Sequence, residues 1–251
     1  GEPTPIVLED WLDELRLPAG AGADDPPVWL AIDARRLTRT PSQRQPEQVV
    51  ALPGQLLAPW LRLAAAAACG VPLRGVLVGR DAILHMEPPD PEAARQALAG
   101  LLEAWYAGLQ QPLPVARRSA LAWLAKRATG SLEDANQAAR RTYEDRSGRM
   151  PPEVDEPALA RCWPDWEALS AAAVPGRGTG VPDDAAGLVD QDDRGNLEGT
   201  AFGHWAACLY GPLCDWVEQG VSAEKLPGAR PGPDEGDAAG PDGASEAADE
   251  S

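Results

Sequence analysis

The sequence predicts an α/β fold whose C-terminal half is rich in helix. Three stretches lead to this prediction: the apolar run VWLAI at residues 28–32, two β-rich runs within residues 75–86, and a periodic apolar pattern over residues 90–109. The first two stretches have the residue types of strands, whereas apolar residues three and four positions apart are typical of an amphipathic helix.

The N-terminal half begins with residues 6–15, a short segment that alternates apolar and polar side chains and fits either a strand or one helical turn. Residues 17–27 have the Pro, Gly and Asp content of a loop. The apolar run that follows is predicted as a buried strand over residues 28–33, with Asp33 at its end. This strand therefore delivers a carboxylate to one edge of the sheet.

A helix and a hairpin come next. Residues 58–70 are predicted to be helical because Pro59 suits the first helical position, the alanines have the highest helix propensity, and Gly70 suits a left-handed stop. Residues 75–86 are predicted to form two strands around a three-residue turn that contains glycine.

Helices dominate the rest of the predicted domain. Asp90 is a good N-cap for the first of them. Its apolar residues recur every three or four positions and are Ala94, Leu98, Leu101, Trp105 and Leu109. Further helices are predicted at 113–128, from the capping box Ser131-x-x-Asp134 to about residue 145, near 157–172, and as a pair over 201–220 that is broken at Gly211-Pro212.

We assign residues 1–221 to one domain and expect residues 174–200 within it to be a mobile loop. From residue 222 onward the chain is rich in Gly, Pro, Ala, Asp and Glu, and it has too little apolar surface to offset the entropy lost on ordering. Residues 222–251 are therefore predicted to be a disordered acidic tail.

The charge of the chain argues against nucleic-acid binding over its whole surface. The net charge is −17; seven acids and one base from Leu226 onward account for −6, which leaves −11 for the rest. A polyphosphate would have to bind a local basic stripe, or the chain would have to act as one piece of a larger assembly.

The cysteines and hydropathy bear on the compartment. Four cysteines form no CxxC pair, and two histidines exclude a His-rich metal site. The sequence shows neither a signal peptide nor an apolar run of about 20 residues, the length needed to span a bilayer. We expect a cytoplasmic protein with free, buried thiols and no membrane contact. We also expect the nine tryptophans to fill the core.

Asp33 and Arg35 match part of the pattern of a two-carboxylate metal nuclease. Such a site takes one acid from one strand, and an acid followed by x-Lys from the next. The carboxylates hold Mg²⁺, which polarises the phosphodiester and activates water. Asp13 is the candidate for the first acid, Asp33 is the candidate for the second, and Arg35 stands where the lysine is needed.

Arginine is a poor replacement for that lysine. Its guanidinium is bulkier and forked, and it tends to form a bidentate pair with a nearby carboxylate, which removes that carboxylate from a metal. The alternative is that Asp33 and Arg35 simply end a strand and pair with each other or with solvent. We expect no working metal site, and Asp13, Asp33 and Arg35 are candidates for vestigial catalytic positions.

A basic stretch begins at the same place. Arg35, Arg36, Arg39 and Arg44 lie within ten residues with no acid between them. One interpretation is contact with DNA phosphates, for which Arg35, Arg36 and Arg39 are the candidates. The other is a solvated loop, or a patch for an acidic partner.

The order of several segments carries a resemblance. The segment VLEDWLDEL is followed by VWLAIDARRL, by LAPWLRLAAAAACG, by the hairpin, and by a helix with the pattern W-Y-x-G-L-x-x-P-L-P that leads into a Trp-containing helix. ARRTYED, ARCWPDWEAL and LYGPLCDWV close the series. Over residues 6–218 the chain resembles the C-terminal domain of RecC, the gamma chain of bacterial exodeoxyribonuclease V, and the W-Y helix is the most specific part.

This resemblance implies a degenerate restriction-endonuclease-like core of the PD-(D/E)XK type, with a mixed sheet flanked by helices, that lacks nuclease chemistry. It implies a non-catalytic scaffold and DNA-channel role in an ATP-dependent helicase–nuclease that repairs double-strand breaks by homologous recombination. The implied partners are RecB-like and RecD-like subunits and single-stranded or forked DNA ends. Mg²⁺ and ATP would be used by the partner subunits, with no cofactor in this chain. A full gamma chain is several times longer, so we expect a fragment without the helicase-like front portions.

Two other functions stay open at this point. One is an active Mg²⁺-dependent DNA exonuclease that uses Asp13 and Asp33. The other is a protein-docking module without DNA contact. ATP binding by this chain is not supported, because GRGTG at residues 176–180 lacks the Gly-Lys-Ser/Thr ending of a phosphate loop.

Overall fold

The computed structural model describes residues 9, 11–20, 22, 26–41, 48–148, 150–172 and 200–227. Its strands and helices are, in chain order, β1 (Leu15–Arg16), β2 (Val28–Ile32), β3 (Thr38–Arg39), β4 (Val50–Ala51), α1 (Leu57–Ala68), β5 (Arg74–Val78), β6 (Ala82–Met86), α2 (Pro91–Gln110), α3 (Arg117–Arg127), α4 (Leu132–Glu144), α5 (Pro157–Cys162), α6 (Trp166–Ser170), α7 (Ala201–Gly220) and β7 (Val221–Lys225). The fold is α/β with a mixed sheet, as predicted.

The chain divides into two compact units. The first contains the described residues within Gly1–Leu98 and Asp215–Arg230, and the second contains those within Ala99–Cys214. Among the described residues, no helix is both long enough and apolar enough to cross a bilayer.

The first unit is built on a five-stranded sheet with the order β1-β2-β5-β6-β7. β2 and β5 run parallel, with Val28 opposite Arg74 and Ile32 opposite Val78, while the other neighbours are antiparallel. The chain between β2 and β5 contains the small β3–β4 ladder and α1, which provide the crossover that parallel neighbours require.

Helix α1 packs against one face of this sheet, and its close approach depends on Gly75. A Cβ atom at Gly75 would lie 2.7 Å from Met86 Cε and 3.3 Å from Leu63 Cδ1, so this strand position has no room for a side chain. The helix begins at Leu57, which places Pro59 third rather than first, and Gly70 adopts the predicted left-handed conformation at φ +79°.

The other face of the sheet carries apolar side chains that stay accessible. Leu30 is 38 % exposed and Ile32 is 84 % exposed, and Val76, Val78 and Ile83, which the register places on the same face, are half-buried. We call these five residues the open apolar face. The prediction of a wholly buried strand at residues 28–33 is therefore wrong, because only the face of β2 that carries Trp29 is covered.

The second unit has an aromatic core. Phe202 lies between two tryptophans in edge-on geometry, with its ring centroid 6.3 Å from that of Trp123 and 5.1 Å from that of Trp166. Tyr143 is fully buried, and its hydroxyl donates a 2.5 Å hydrogen bond to the Trp163 carbonyl. Burial raises the pKa of Tyr143 to about 12.

The nine tryptophans do not all fill the core. Seven are buried or half-buried, but Trp11 is 92 % exposed and Trp105 is 58 % exposed. Trp105 belongs to the predicted apolar stripe of α2, whose Leu109 is exposed as well. The buried positions of α2 are instead alanines, at Ala94, Ala97 and Ala104. The fully buried positions of this helix are thus small residues, whereas Leu98, Leu101 and Leu102 are half-buried and Trp105 and Leu109 are exposed.

Several predicted boundaries differ from the structure. Helix α3 starts at Arg117 rather than at residue 113, because the preceding segment holds two prolines. Residues 157–172 form two short helices that are interrupted around Pro164. The predicted break at Gly211-Pro212 is absent, and α7 runs through Pro212. The large apolar residues Leu213 and Trp216 that follow Pro212 are buried, and their packing offsets the lost backbone hydrogen bond.

The start predicted for the disordered tail, residue 222, is too early in the chain. Residues 222–225 belong to β7, which pairs antiparallel with β6 and places Ser222 opposite His85 and Lys225 opposite Ala82. Composition alone missed this strand because its pairing partner lies more than 130 residues earlier in the chain. Residues 228–251, and residues 174–199 of the expected mobile loop, lie outside the described part of the chain.

Helix α3 begins against a buried carboxylate from a distant segment. Glu153 is 2 % exposed, and its oxygens accept hydrogen bonds of 2.7 Å from the backbone amides of Arg118 and Ser119 and from the Ser119 hydroxyl. The N-cap residue, Ala116, has no side chain that can do this. A carboxylate at this end also interacts favourably with the helix dipole.

Replacing Glu153 with alanine is expected to lower the free energy of unfolding by about 3 kcal/mol, because the change leaves two helix-terminal amides and a buried hydroxyl without an acceptor. Thermal or urea denaturation of the full chain measures the effect. Glu156→Ala, at an exposed position three residues away, is the matched control and should change stability by less than about 0.5 kcal/mol. Equal stability of the two variants would show that Glu153 does not cap α3.

Candidate functional site

The candidate site lies where the parallel strands β2 and β5 end. Asp33 follows β2 directly, and its N–H donates to the carbonyl of Val78, the last residue of β5, at 2.9 Å. The turn Gly79–Asp81 continues from β5. Parallel strands bring their carboxyl ends to one edge of a sheet, which is the usual place for ligand sites in α/β folds.

Asp33 is held by Arg35. Asp33 Oδ1 accepts hydrogen bonds from the Arg35 amide at 2.9 Å and from Arg35 Nε at 3.0 Å, and Oδ2 accepts from Nε at 2.9 Å and from the terminal guanidinium nitrogen. The Arg35 side chain lowers the pKa of the Asp33 carboxyl; burial opposes this effect, and the Arg35 amide adds to it. The carboxylate is thus ionised and bidentately engaged, as the arginine at this position predicts.

Asp13 is not part of this pair. It is exposed and precedes β1, and the residue between them, Glu14, has a left-handed backbone at φ +59°. The Glu14 carbonyl accepts from the Leu30 amide at 3.1 Å, which is the last backbone contact between these two segments. Left-handed backbone is uncommon for a residue other than glycine, and here it ends the alternation of side chains before Asp13.

A second carboxylate, Asp81, organises the loop after Asp33. Its Oδ1 accepts from the Leu37 amide at 2.8 Å, and its Oδ2 accepts from the Thr38 amide at 3.1 Å and the Thr38 hydroxyl at 2.7 Å. Arg36 Nε lies 3.6 Å from the same Oδ2, and both side chains are mostly buried. The Asp81 carbonyl also accepts from the Leu226 amide, just beyond β7.

The loop after Asp33 also packs against Gly79. Leu37 is fully buried, and a Cβ atom at Gly79 would lie 2.5 Å from Leu37 Cδ1, so the side chain of Leu37 takes the space that a larger residue would need. The Arg80 amide donates to the Arg35 carbonyl at 3.2 Å. Backbone, carboxylate and packing contacts therefore fix residues 35–38 against the β5–β6 turn.

The predicted DNA-contact arginines fall into different environments. The side chain of Arg35 is 62 % exposed although it pairs with Asp33, and Arg39 is exposed. The side chain of Arg36 is only 11 % exposed and faces Asp81. Arg44 lies outside the described residues.

This arrangement does not match the donor set of a two-carboxylate metal site. Both carboxylate oxygens of Asp33 are occupied by Arg35, and the carboxylate of Asp81 is engaged by four donors. Strand β4 consists of Val50 and Ala51 and so carries no acidic side chain. In the described part of the chain, no three His, Cys, Asp or Glu side chains are grouped so that they could hold a metal ion.

Of the cysteines, Cys69 and Cys162 are free but exposed, so the expectation of buried thiols is wrong for these two.

Two residues of this edge were not singled out by the sequence pattern. Asp81 and Arg80 were assigned only to the hairpin turn, yet Asp81 is the central acceptor of the site and Arg80 contacts the Arg35 backbone. The one signal in the sequence is that a turn residue with a short acidic side chain can bind nearby amides, but its partners lie 44 residues away.

The Asp33 carboxyl should titrate below the usual range of aspartate, and the Arg35→Gln change should return its pKa towards that range. Because the pKa is lowered on folding, the contribution of the pair to stability is present above the unfolded-state pKa and is lost as the pH falls through the folded-state pKa. Carboxyl-detected NMR titration measures both values. Arg39→Gln is the control, and a normal pKa for Asp33 in the unmodified chain would rule out the pairing in solution.

The comparisons with known proteins bear on the same region of the chain. The family profile described as the RecC C-terminal domain matches residues 2–128, just over half of the 251 residues. This match includes β1 to β6 and therefore all of the candidate site apart from the β7 contact. A search of curated proteins gave no match. The chain belongs to the RecC C-terminal domain family.

Proposed function

We propose that this chain is a non-catalytic scaffold domain of a RecBCD-type helicase–nuclease that repairs double-strand breaks. Its family links it to the RecBCD complex. The observation that carries the non-catalytic part of the proposal is the Asp33–Arg35 pair, in which both oxygens of the one carboxylate at the end of β2 are occupied by an arginine.

Hydrolysis by a divalent ion needs at least one carboxylate that is free to bind it, and a compact ammonium or similar group beside it. Arg35 occupies the carboxylate that would bind the ion. It also cannot replace the compact ammonium, because a guanidinium has a fixed, forked geometry and a permanent charge. Asp13 is exposed and lies outside β1, so it adds no second ligand next to Asp33. We therefore place Asp13, Asp33 and Arg35 as vestigial catalytic positions.

The proposed core is a degenerate restriction-endonuclease-like fold. Support comes from a mixed sheet in which an acid follows a central strand, at the edge where a parallel neighbour also ends. In such a core the acid would retain its place in the chain while its chemistry is lost. Here the Asp33 carboxylate instead fixes the conformation of the loop that follows β2, since its partner Arg35 is only two residues away.

DNA contact is proposed for the exposed arginines beside this pair. Arg35 and Arg39 are accessible to a phosphate, and guanidinium groups bind phosphates through two hydrogen bonds. Arg36 faces Asp81 and is mostly buried, so we give it a structural role in holding the loop. The ligand would be single-stranded or forked DNA ends, in keeping with the resemblance.

A protein-docking role is the second candidate function, and the open apolar face favours it. Exposed apolar patches that are surrounded by polar residues commonly mark protein–protein contacts. Parallel strand pairs such as β2–β5 are normally covered on both faces, yet Ile32 is 84 % exposed. RecB-like and RecD-like subunits are the proposed partners. The two proposed surfaces are neighbours, because Ile32 directly precedes Asp33 and Val78 directly precedes Gly79.

Incubated with linear DNA and Mg²⁺, the full chain is expected to release no nucleotides, and the Asp33→Ala variant should behave identically. The physical reason is that Arg35 saturates the only strand-end carboxylate of the site. Gel or acid-soluble release assays measure cleavage. Mg²⁺-dependent cleavage that disappears in Asp33→Ala would establish the active exonuclease instead and refute the scaffold proposal.

Changing Ile32 to glutamate should reduce co-purification of the chain with its RecB-like and RecD-like subunits by about tenfold or more, as expected for a charge placed within a docking surface. The thermal midpoint should stay unchanged, because the side chain is already exposed. Met150→Glu, at a partly exposed apolar residue of the second unit, is the matched control. If both variants co-purify as well as the unmodified chain, the open apolar face is not the docking surface.

A further inference from the structure

Arg80 lies beside the proposed DNA contact although it comes from a different part of the chain. It is the exposed middle residue of the β5–β6 turn, and its amide donates to the Arg35 carbonyl at 3.2 Å. The next residue, Asp81, binds the amides of Leu37 and Thr38, which directly precede Arg39. Two loops that are 44 residues apart in the sequence therefore present arginines at one edge of the sheet.

This edge has the opposite charge to the chain as a whole. Residues 33–41 and 79–81 contain four arginines and two aspartates, a net charge of +2, within a chain of net charge −17. The two aspartates are already engaged, Asp33 by Arg35 and Asp81 by Arg36 and three hydrogen bonds. The outward-facing charge of the edge is therefore carried by Arg39, Arg80 and the exposed side of Arg35.

Backbone contacts hold these arginines at one edge of the sheet. The Arg35 carbonyl accepts from the Arg80 amide, and Arg39 pairs with Val50 in the β3–β4 ladder directly after Thr38, whose amide donates to Asp81. A phosphodiester backbone offers a row of acceptors that suits such a series. A single strand has about half the charge density of a duplex, so the net negative charge of the chain repels it less.

We propose that Arg80 is a further phosphate-contact residue, which acts with Arg35 and Arg39 on single-stranded DNA. This inference rests on DNA contact in the proposed function and extends it to a residue in the β5–β6 turn. Asp81 is the positioning residue of this surface: it touches no ligand, but it holds the Arg39-bearing loop against the turn that carries Arg80.

Binding of a fluorescent thymidine oligonucleotide to the full chain, followed by anisotropy over a series of salt concentrations, tests the proposal. Arg80→Gln should weaken binding at low salt and make the log–log salt slope less negative by about 0.7, the value for one lost contact to a single strand. Arg161→Gln makes the same charge change at an exposed position of α5 and should leave the slope unchanged. Equal thermal midpoints of the two variants exclude a folding effect.

The outcomes separate this inference from the proposed function. If Arg39→Gln reduces the slope but Arg80→Gln does not, the role of Arg80 is overturned while DNA contact stands. If the unmodified chain fails to bind the oligonucleotide even at the lowest salt, both statements about DNA are overturned, although the cleavage and co-purification results still decide the scaffold role. Displacement of the oligonucleotide by polyglutamate at equal charge would assign the edge to an acidic protein, and would also overturn the proposal.

Discussion

The carboxylate of Asp81 is the contact on which the edge of the sheet depends. It sits in a hairpin turn, yet it supplies the acceptors for two amides, a hydroxyl and a guanidinium of the loop that follows β2. Its own carbonyl receives the Leu226 amide, so the end of β7 is fastened to the same turn. A mostly buried carboxylate requires such a set of donors, and the loop in turn obtains a fixed shape from it.

That fixed loop also sets the position of Arg35 just after the end of β2. With residues 35–38 held against the β5–β6 turn, the Arg35 side chain lies close enough to fold back onto Asp33. Acid and base then neutralise each other within three residues. Arg35, Arg39 and Arg80 remain exposed at this edge of the sheet.

The strength of local signals determined what the sequence could predict. The β5–β6 hairpin, the Asp90 N-cap, the Ser131–Asp134 capping box and the left-handed Gly70 depend on neighbouring residues, and all four are confirmed. The Asp33–Arg35 pair was one of two alternatives and is also local. By contrast β7, the acceptor roles of Asp81 and Glu153, and the outward face of α2 depend on partners far away in the chain, which periodicity and composition do not encode.

The shortness of β1 has a consequence for how the first unit meets other chains. Only two residues of β1 pair with β2, and the left-handed Glu14 then turns the backbone away. Charged side chains at Asp13, Glu14 and Arg16 flank this outer strand. An edge strand that is short, kinked and charged is a poor template for adding a strand from a neighbouring molecule. This edge of the described sheet therefore disfavours edge-to-edge association, which is a common route by which β-sheets aggregate.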